Sequence, residues 1–248
     1  VKRNRTAWIA TDTGAVRAVN EDRCFVGSWT SDGRDGVASV TLAEDFWSAA
    51  IADGMGGHDA GELASETAIA ALQPLLSRMI GDAEVGAIVN AVNEQVFEAM
   101  YSPRGRPGMG STIAAIVGGR DRTLLFNVGD SRIYLLRNDK LEQLSTDDTL
   151  DRRHPAGPRN HALTQSLGGT VSRLSVVPHT KSLALDTSDR ILLCSDGLTD
   201  MLSDADIFTV LSARPEHPAQ ALVSAALRAG GRDNVTVVLI DKLMPASA

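Results

Sequence analysis

No long stretch of this chain holds a single periodicity. Short apolar and β-branched runs follow one another across turn residues, and helical spacing appears only in pairs of segments. A regular strand–helix alternation would build a parallel sheet, whereas this order predicts antiparallel sheets covered by helix pairs. Strand-like runs fall at Thr6–Thr11, Cys24–Val26, Val37–Leu42, Trp47–Ala52, Thr112–Val117, Thr123–Val128, Arg132–Leu136, Ser172–Val177, Ile191–Cys194 and Val235–Ile240. The short acidic link between the third and fourth predicts a hairpin, and Asn138-Asp139 predicts another before Leu141. Ser28–Gly36 reads as a loop.

Leu63, Ala68, Ala71, Leu72, Leu75 and Leu76 recur on one side of a helix from Gly61 to about Ile80, with Pro74 predicting a kink or a break. Val85, Ile88, Val89, Val92, Val96 and Met100 define a second helix, with Asp82 as its expected N-cap. Ala205–Ser212 and Pro218–Ala229 form the later pair, and Ser203 with Asp206 resembles a capping box. Ser145–Gly169 is polar, carries Pro155, Gly157 and Pro158, and reads as a surface flap. The 248 residues fit one large domain spanning 1–248, with that flap near 145–169.

The chemistry is expected where acidic residues stand beside glycine or polar residues at the ends of apolar runs. Asp53-Gly54 follows Ala49–Ala52, Gly129-Asp130 follows Leu124–Val128, and Asp196-Gly197 follows Ile191–Ser195. Asp233-Asn234 precedes Val235, and Glu21-Asp22 precedes Cys24. Each pair alone is most simply a turn. If these carboxylates converge in a partly desolvated cleft, protons or cations must relieve their repulsion. All-oxygen ligands without cysteine or a histidine cluster point to Mg²⁺ or Mn²⁺.

Composition removes several alternatives. With 24 basic and 31 acidic side chains the net charge is −7, against a general nucleic-acid binder. Two distant cysteines make neither a disulfide framework nor a thiolate zinc site and suit a reducing compartment. No apolar run approaches the roughly 18 residues of a membrane span, so no membrane segment and a cytoplasmic location are expected. Neither Cys24 nor Cys194 is followed by the arginine that a cysteine-phosphatase loop needs; Thr30 and Asp200 stand there. No Gly-rich stretch ends in Gly-Lys-Ser/Thr, against a P-loop enzyme.

Six ordered blocks carry a family resemblance: Thr11–Asp22, Ala52–His58 with Ala60-Gly61-Glu62, Gly108–Thr112, Asn127–Arg132, Leu193–Leu198 and Gly231–Thr236. Together the chain resembles the metal-dependent type 2C Ser/Thr protein phosphatases in their compact bacterial form, over nearly its whole length. The resemblance implies an α+β four-layer α-β-β-α sandwich, two stacked antiparallel β-sheets flanked by helix pairs. It implies a hydrolase acting on phosphoserine and phosphothreonine in proteins through a water activated by Mn²⁺ or Mg²⁺. Two core ions are implied, and a third in bacterial members. Asp53 would bridge the two core ions, with Asp22 and the Gly54 carbonyl as further ligands and Asp196 and Asp233 completing the first site. Glu21 would act through water, Asp130 with Asp196 would support the third ion, and Arg17 would grip the phosphate.

Simpler readings stand beside these: Arg17 as a surface arginine pairing with Asp22, Glu21 as a solvated carboxylate, Asp130 as a turn cap. Asp12 is expected to build the turn at Gly14, and Gly110–Thr112 to support the sheet edge. His58 is expected to stabilise a turn, and His154 and His161 to have no specific role; the general acid is left unassigned. The implied partners are phosphorylated proteins opposite a bacterial Ser/Thr kinase. A catalytically silent binding module and a small-molecule phosphomonoester hydrolase are the alternatives.

Overall fold

Residues 5–43, 45–56, 59–77, 79, 81–119, 122–150 and 162–242 are described in the computed structural model. Two antiparallel sheets face one another. Among the described residues, six strands form the first in the order β10 (Lys140–Gln143), β9 (Arg132–Arg137), β13 (Arg190–Cys194), β14 (Val235–Lys242), β1 (Arg5–Asp12), β4 (Gly36–Leu42). The second runs β11 (Leu167–Gly168), β6 (Gly110–Ser111), β5 (Phe46–Met55), β7 (Ile113–Gly119), β8 (Thr123–Val128), β12 (His179–Leu183). On its other side β5 carries β2 (Asp22–Val26), which in turn pairs with β3 (Trp29–Thr30).

Strand alternation sorts the apolar residues into three layers. Ile9, Ile51, Leu125, Leu193 and Val238 fill the space between the sheets. Ala50, Ala52 and Phe126 face outward onto α1 (Asp59–Leu76) and α2 (Val85–Ala99). On the opposite outer face Leu192, Cys194 and Leu239 pack under α4 (Asp204–Ser212) and α5 (Pro218–Arg228), preceded by the short α3 (Asp196–Thr199). The α-β-β-α sandwich follows directly from this alternation. Both cysteines are buried and unpaired, and burial pushes each thiol up to about 12. No helix among the described residues is long and apolar enough to cross a membrane.

Several local expectations need correction. Val37–Leu42 and Trp47–Ala52 do not form a hairpin: β4 pairs with β1 in one sheet, while β5 lies between β2 and β7 in the other. Ala49–Ala52 is buried throughout and needs a central position, whereas β4 is half exposed and serves as an edge. The Ser28–Gly36 loop includes β3, which closes a tight hairpin on β2 through Gly27. Ser172–Val177 is not a strand. Asn90 accepts from the Val176 N–H at 3.0 Å and donates to its carbonyl at 2.9 Å, and Asn93 donates to the Leu174 carbonyl at 2.8 Å. Side-chain amides of α2 thus stand in for a ladder.

Helix α1 ends two residues beyond Pro74, where few backbone bonds remain to lose. Asp82 is not an N-cap; it opens a 3₁₀ turn, and its carboxylate takes Arg122 and Ser182 instead. The Ser203–Asp206 capping box is present, with reciprocal bonds of 3.2 and 3.1 Å. Asn138 and Asp139 both take positive φ and close the β9–β10 hairpin. Residues 151–161 of the flap, with His154 and His161, and His58 lie outside the described residues; the flap ends meet in a Thr149–Leu163 bridge.

Candidate active site

Antiparallel register brings the acidic strand ends to one edge of the sandwich. Asp12, the last residue of β1, lies opposite Val235, the first of β14, and Cys194 at the end of β13 lies opposite Val237. In the other sheet Asp22, which opens β2, is the register partner of Asp53 on β5. Asp53 on β5 and the turns carrying Glu21, Asp130, Asp196 and Asp233 share one rim, where Asp196 acts on Asp22, Asp53 and Asp130 alike and Asp233 on Asp22 and Glu21.

Asp22 is 1% exposed. Ser195 Oγ donates to its Oδ2 at 2.7 Å, while its Oδ1 is buried with no hydrogen-bond partner among the described residues. Burial, reinforced by Asp196 and Asp233 and opposed by the Ser195 and Thr236 bonds, pushes its carboxyl up to about 7. Asp53 is raised well above the usual range by burial and by Asp22, Asp196 and Asp130, and it shares a hydrogen bond with the Asp196 carboxyl. Asp130 is pushed up to about 8 by burial, then by Asp196 and Asp147. Glu21 is raised by burial against the pull of Arg17, and it accepts from the Gly61 N–H in the first turn of α1.

For each of these carboxyls burial, with help from neighbouring acids, disfavours the charged form, and a proton or a cation would relieve that cost. Among the described residues no group of three or more histidine, cysteine, aspartate or glutamate side chains is gathered so as to hold a metal ion. The donor set nonetheless fits hard divalent cations, because all its members are oxygens and the Asp22 Oδ1 lacks the partner that burial demands.

Arg17 is half exposed and donates from Nη2 to Asp233 Oδ2 at 2.6 Å. Its partner is Asp233, not the Asp22 of the simpler reading, and Glu21 and Asp53 also raise its affinity for the proton. Asp12 accepts from the Gly14 N–H at 2.8 Å and builds the turn, as expected. Ser111 Oγ and the Thr112 N–H donate to the Asp53 carbonyl at 3.0 and 2.9 Å, and Thr112 Oγ1 accepts from the Asp53 N–H at 3.1 Å.

The polar residues that hold this rim together had no role assigned from sequence. Asn234 accepts from the Glu21 N–H at 2.8 Å and donates to the Thr13 and Val19 carbonyls, both at 2.9 Å, so one amide fixes the whole 13–21 loop. Asn20 accepts from the Asp22 N–H at 3.1 Å and donates to Thr11 Oγ1. Arg23, nearly buried, donates to Glu62 at 2.7 Å and ties β2 to α1. The available signal was a polar side chain immediately beside an acid at the edge of an apolar run.

Residues 31–229 match the family described as Protein phosphatase 2C. The chain belongs to the protein phosphatase 2C family. It is 37% identical over 243 residues to the serine/threonine protein phosphatase PstP of Mycobacterium tuberculosis, covering 93% of this chain but 44% of that protein. The chain thus spans less than half the length of this relative. The serine/threonine phosphatase stp of Listeria innocua is 32% identical over 256 residues, covering 95% of both chains. A crystal structure of the PstP catalytic domain in complex with two manganese ions superposes with a TM-score of 0.77 at 36% identity, over 97% of this chain and 100% of that one.

One position in this phosphatase-family chain tolerates no side chain. A Cβ at Gly54 would lie 2.1 Å from the Gly61 carbonyl and 2.8 Å from the Glu21 carbonyl. The end of β5, the first turn of α1 and the Glu21 loop meet there. Gly54→Ala is expected to destabilise the fold by at least about 2 kcal/mol, since rigid backbone cannot yield as a side chain would. A urea titration checks this; an unchanged midpoint would mean that the three segments move apart freely.

Proposed function

We propose that this chain is a metal-dependent phosphatase of phosphoserine and phosphothreonine in proteins, acting on the products of a Ser/Thr kinase. The observation that carries the reading is the buried, unpartnered Oδ1 of Asp22 among Asp53, Asp196 and Asp233, at a rim that also presents an arginine. Asp22, Asp53, the Gly54 carbonyl, Asp196 and Asp233 would hold two Mn²⁺ or Mg²⁺ ions, and Asp130 with Asp196 a third. When bound, such ions supply positive charge beside the phosphoryl group and make a water acidic enough to attack near neutral pH.

The chain's own residues supply the rest. Ser195 holds the Asp22 carboxylate in one orientation. Asn234 fixes the Glu21 backbone and Gly61 donates to its carboxylate, which would order water at the rim. Arg17 presents a guanidinium fork that matches two phosphate oxygens and orients the phosphoryl group for in-line attack. Hydrolysis of an aryl phosphate and of a phosphothreonine peptide with Mn²⁺, then with EDTA, tests the reading. Turnover that EDTA abolishes is expected. No metal-dependent turnover of either would favour a silent binding module, and turnover of the aryl ester alone would favour a small-molecule hydrolase.

Arg17→Ala is expected to lower kcat/KM by about 30- to 150-fold, the equivalent of one charge-assisted pair worth roughly 2–3 kcal/mol. The ions should bind as before, because the substitution removes no oxygen ligand and frees Asp233 from its partner. Calorimetric titration of Mn²⁺ into the variant checks this second part; lost ion binding would contradict it.

A further inference from the structure

We infer that Asp148 is a positioning residue for the turn that carries Asp130, acting through hydrogen bonds to Gly129 and without touching substrate. The inference rests on the phosphatase reading only in taking Asp130 as a cation ligand.

The side chain of Asp148 is 11% exposed and is held from three directions. Its Oδ2 accepts from the Gly129 N–H at 3.0 Å and from Gln165 Nε2 at 3.1 Å, and its Oδ1 lies 2.8 Å from His179 Nε2. The backbone repeats the grip, with the Asp148 N–H donating to the Gly129 carbonyl at 3.0 Å and the Thr164 N–H to the Asp148 carbonyl at 2.7 Å. Gln165 is itself fixed, accepting from the Val177 N–H at 2.7 Å and donating to its carbonyl at 2.9 Å. One carboxylate therefore joins both ends of the 145–169 segment and the start of β12 to the N–H of a single residue, Gly129, the one before Asp130.

That residue needs holding. Gly129 has a φ of +94°, and a Cβ there would lie 2.7 Å from the Thr112 methyl, so the turn adopts a conformation that other residues avoid. The neighbouring Asp147 clamps the far side of the turn through Arg132, with Nη2 to Oδ2 at 2.7 Å and Nε to both oxygens. Consecutive acids thus grip residues 129 and 132 and fix the direction in which Asp130 leaves the backbone. Displacing a ligand's support commonly weakens ion binding even when every ligand remains.

Calorimetric titration of Mn²⁺ into the full chain and into Asp148→Ala and Asp148→Asn tests this. In Asp148→Ala the weakest Mn²⁺ binding event is expected to weaken about tenfold, while tighter events hold. Asp148→Asn keeps an oxygen for the Gly129 N–H and is expected to stay within about twofold of the parent. Excess Mn²⁺ should restore turnover of Asp148→Ala but not of Arg17→Ala. If Asp148→Ala fails to fold, His179→Gln, which loosens one anchor, should show the same selective weakening to a smaller degree. Unchanged ion binding in both variants overturns the inference, as does an equal loss in Asp148→Asn, which would make the charge and not the position decisive. Selective weakening in a parent chain that binds Mn²⁺ yet hydrolyses nothing would support this inference and sink the phosphatase reading.

Discussion

Replacing Asp53 with asparagine is expected to reduce metal-dependent turnover by at least about 10³-fold while leaving the fold intact. The loss follows from the place of Asp53: its buried carboxyl lies in the field of Asp22, Asp196 and Asp130, so it stands among most members of the proposed ion site. Several kcal/mol of charge stabilisation in the transition state depend on ions held there, and each 1.4 kcal/mol is about tenfold in rate. The fold should survive because the hydrogen bonds to Thr112 and Ser111 run through the Asp53 backbone, which the substitution does not touch. Removing one of several crowded carboxylates should even raise the unfolding midpoint of the metal-free protein near pH 8. Turnover with Mn²⁺ and thermal unfolding with EDTA check the two halves. Near-parental turnover in Asp53→Asn would remove Asp53 from the ion site, and a lowered metal-free midpoint would contradict the crowding.

The acids were legible because each stands at or just past the end of a buried apolar run, whose strand fixes where the chain emerges. Asp53 follows Ala49–Ala52 inside β5, which continues to Met55, and Asp196 comes two residues after β13, at the start of α3. Sheet assignment was less legible. Val37–Leu42 and Trp47–Ala52 are close in sequence and both strand-like, yet they belong to different sheets, because a run buried on both faces demands two neighbours that a local turn cannot supply. The extended stretch at Ser172–Val177 has strand composition, but its backbone groups are satisfied by Asn90 and Asn93, which lie far away in sequence. The supporting shell was hidden for the same reason. Ser195, Asn20 and Asn234 are ordinary turn residues until folding places each against one specific carboxylate or loop.

The metal-free protein is expected to lose stability as pH rises from 5 to 8, and divalent ions should restore it. In the folded state Asp22 and Asp130 are pushed up to about 7 and about 8, and Asp53 is raised as well, chiefly by burial. The unfolded chain holds these protons only below about pH 4. A raised folded-state value means that the folded protein binds the proton more tightly. The resulting stabilisation is complete below the unfolded value and disappears as pH climbs through the folded one. Each tenfold excess of proton affinity is worth about 1.4 kcal/mol, and about 1 kcal/mol moves the midpoint of a domain this size by roughly 2–4 °C. A fall of at least about 10 °C between pH 5 and 8 in EDTA is therefore expected. Mn²⁺ at pH 8 should reverse it, because cations then neutralise the oxygens that protons no longer cover and bind only the folded arrangement. Thermal scans over this pH range, with EDTA and with Mn²⁺, make the comparison. A midpoint that rises with pH in EDTA would mean that the carboxylates are not mutually crowded, and a midpoint indifferent to Mn²⁺ at pH 8 would mean that they do not take up the ion.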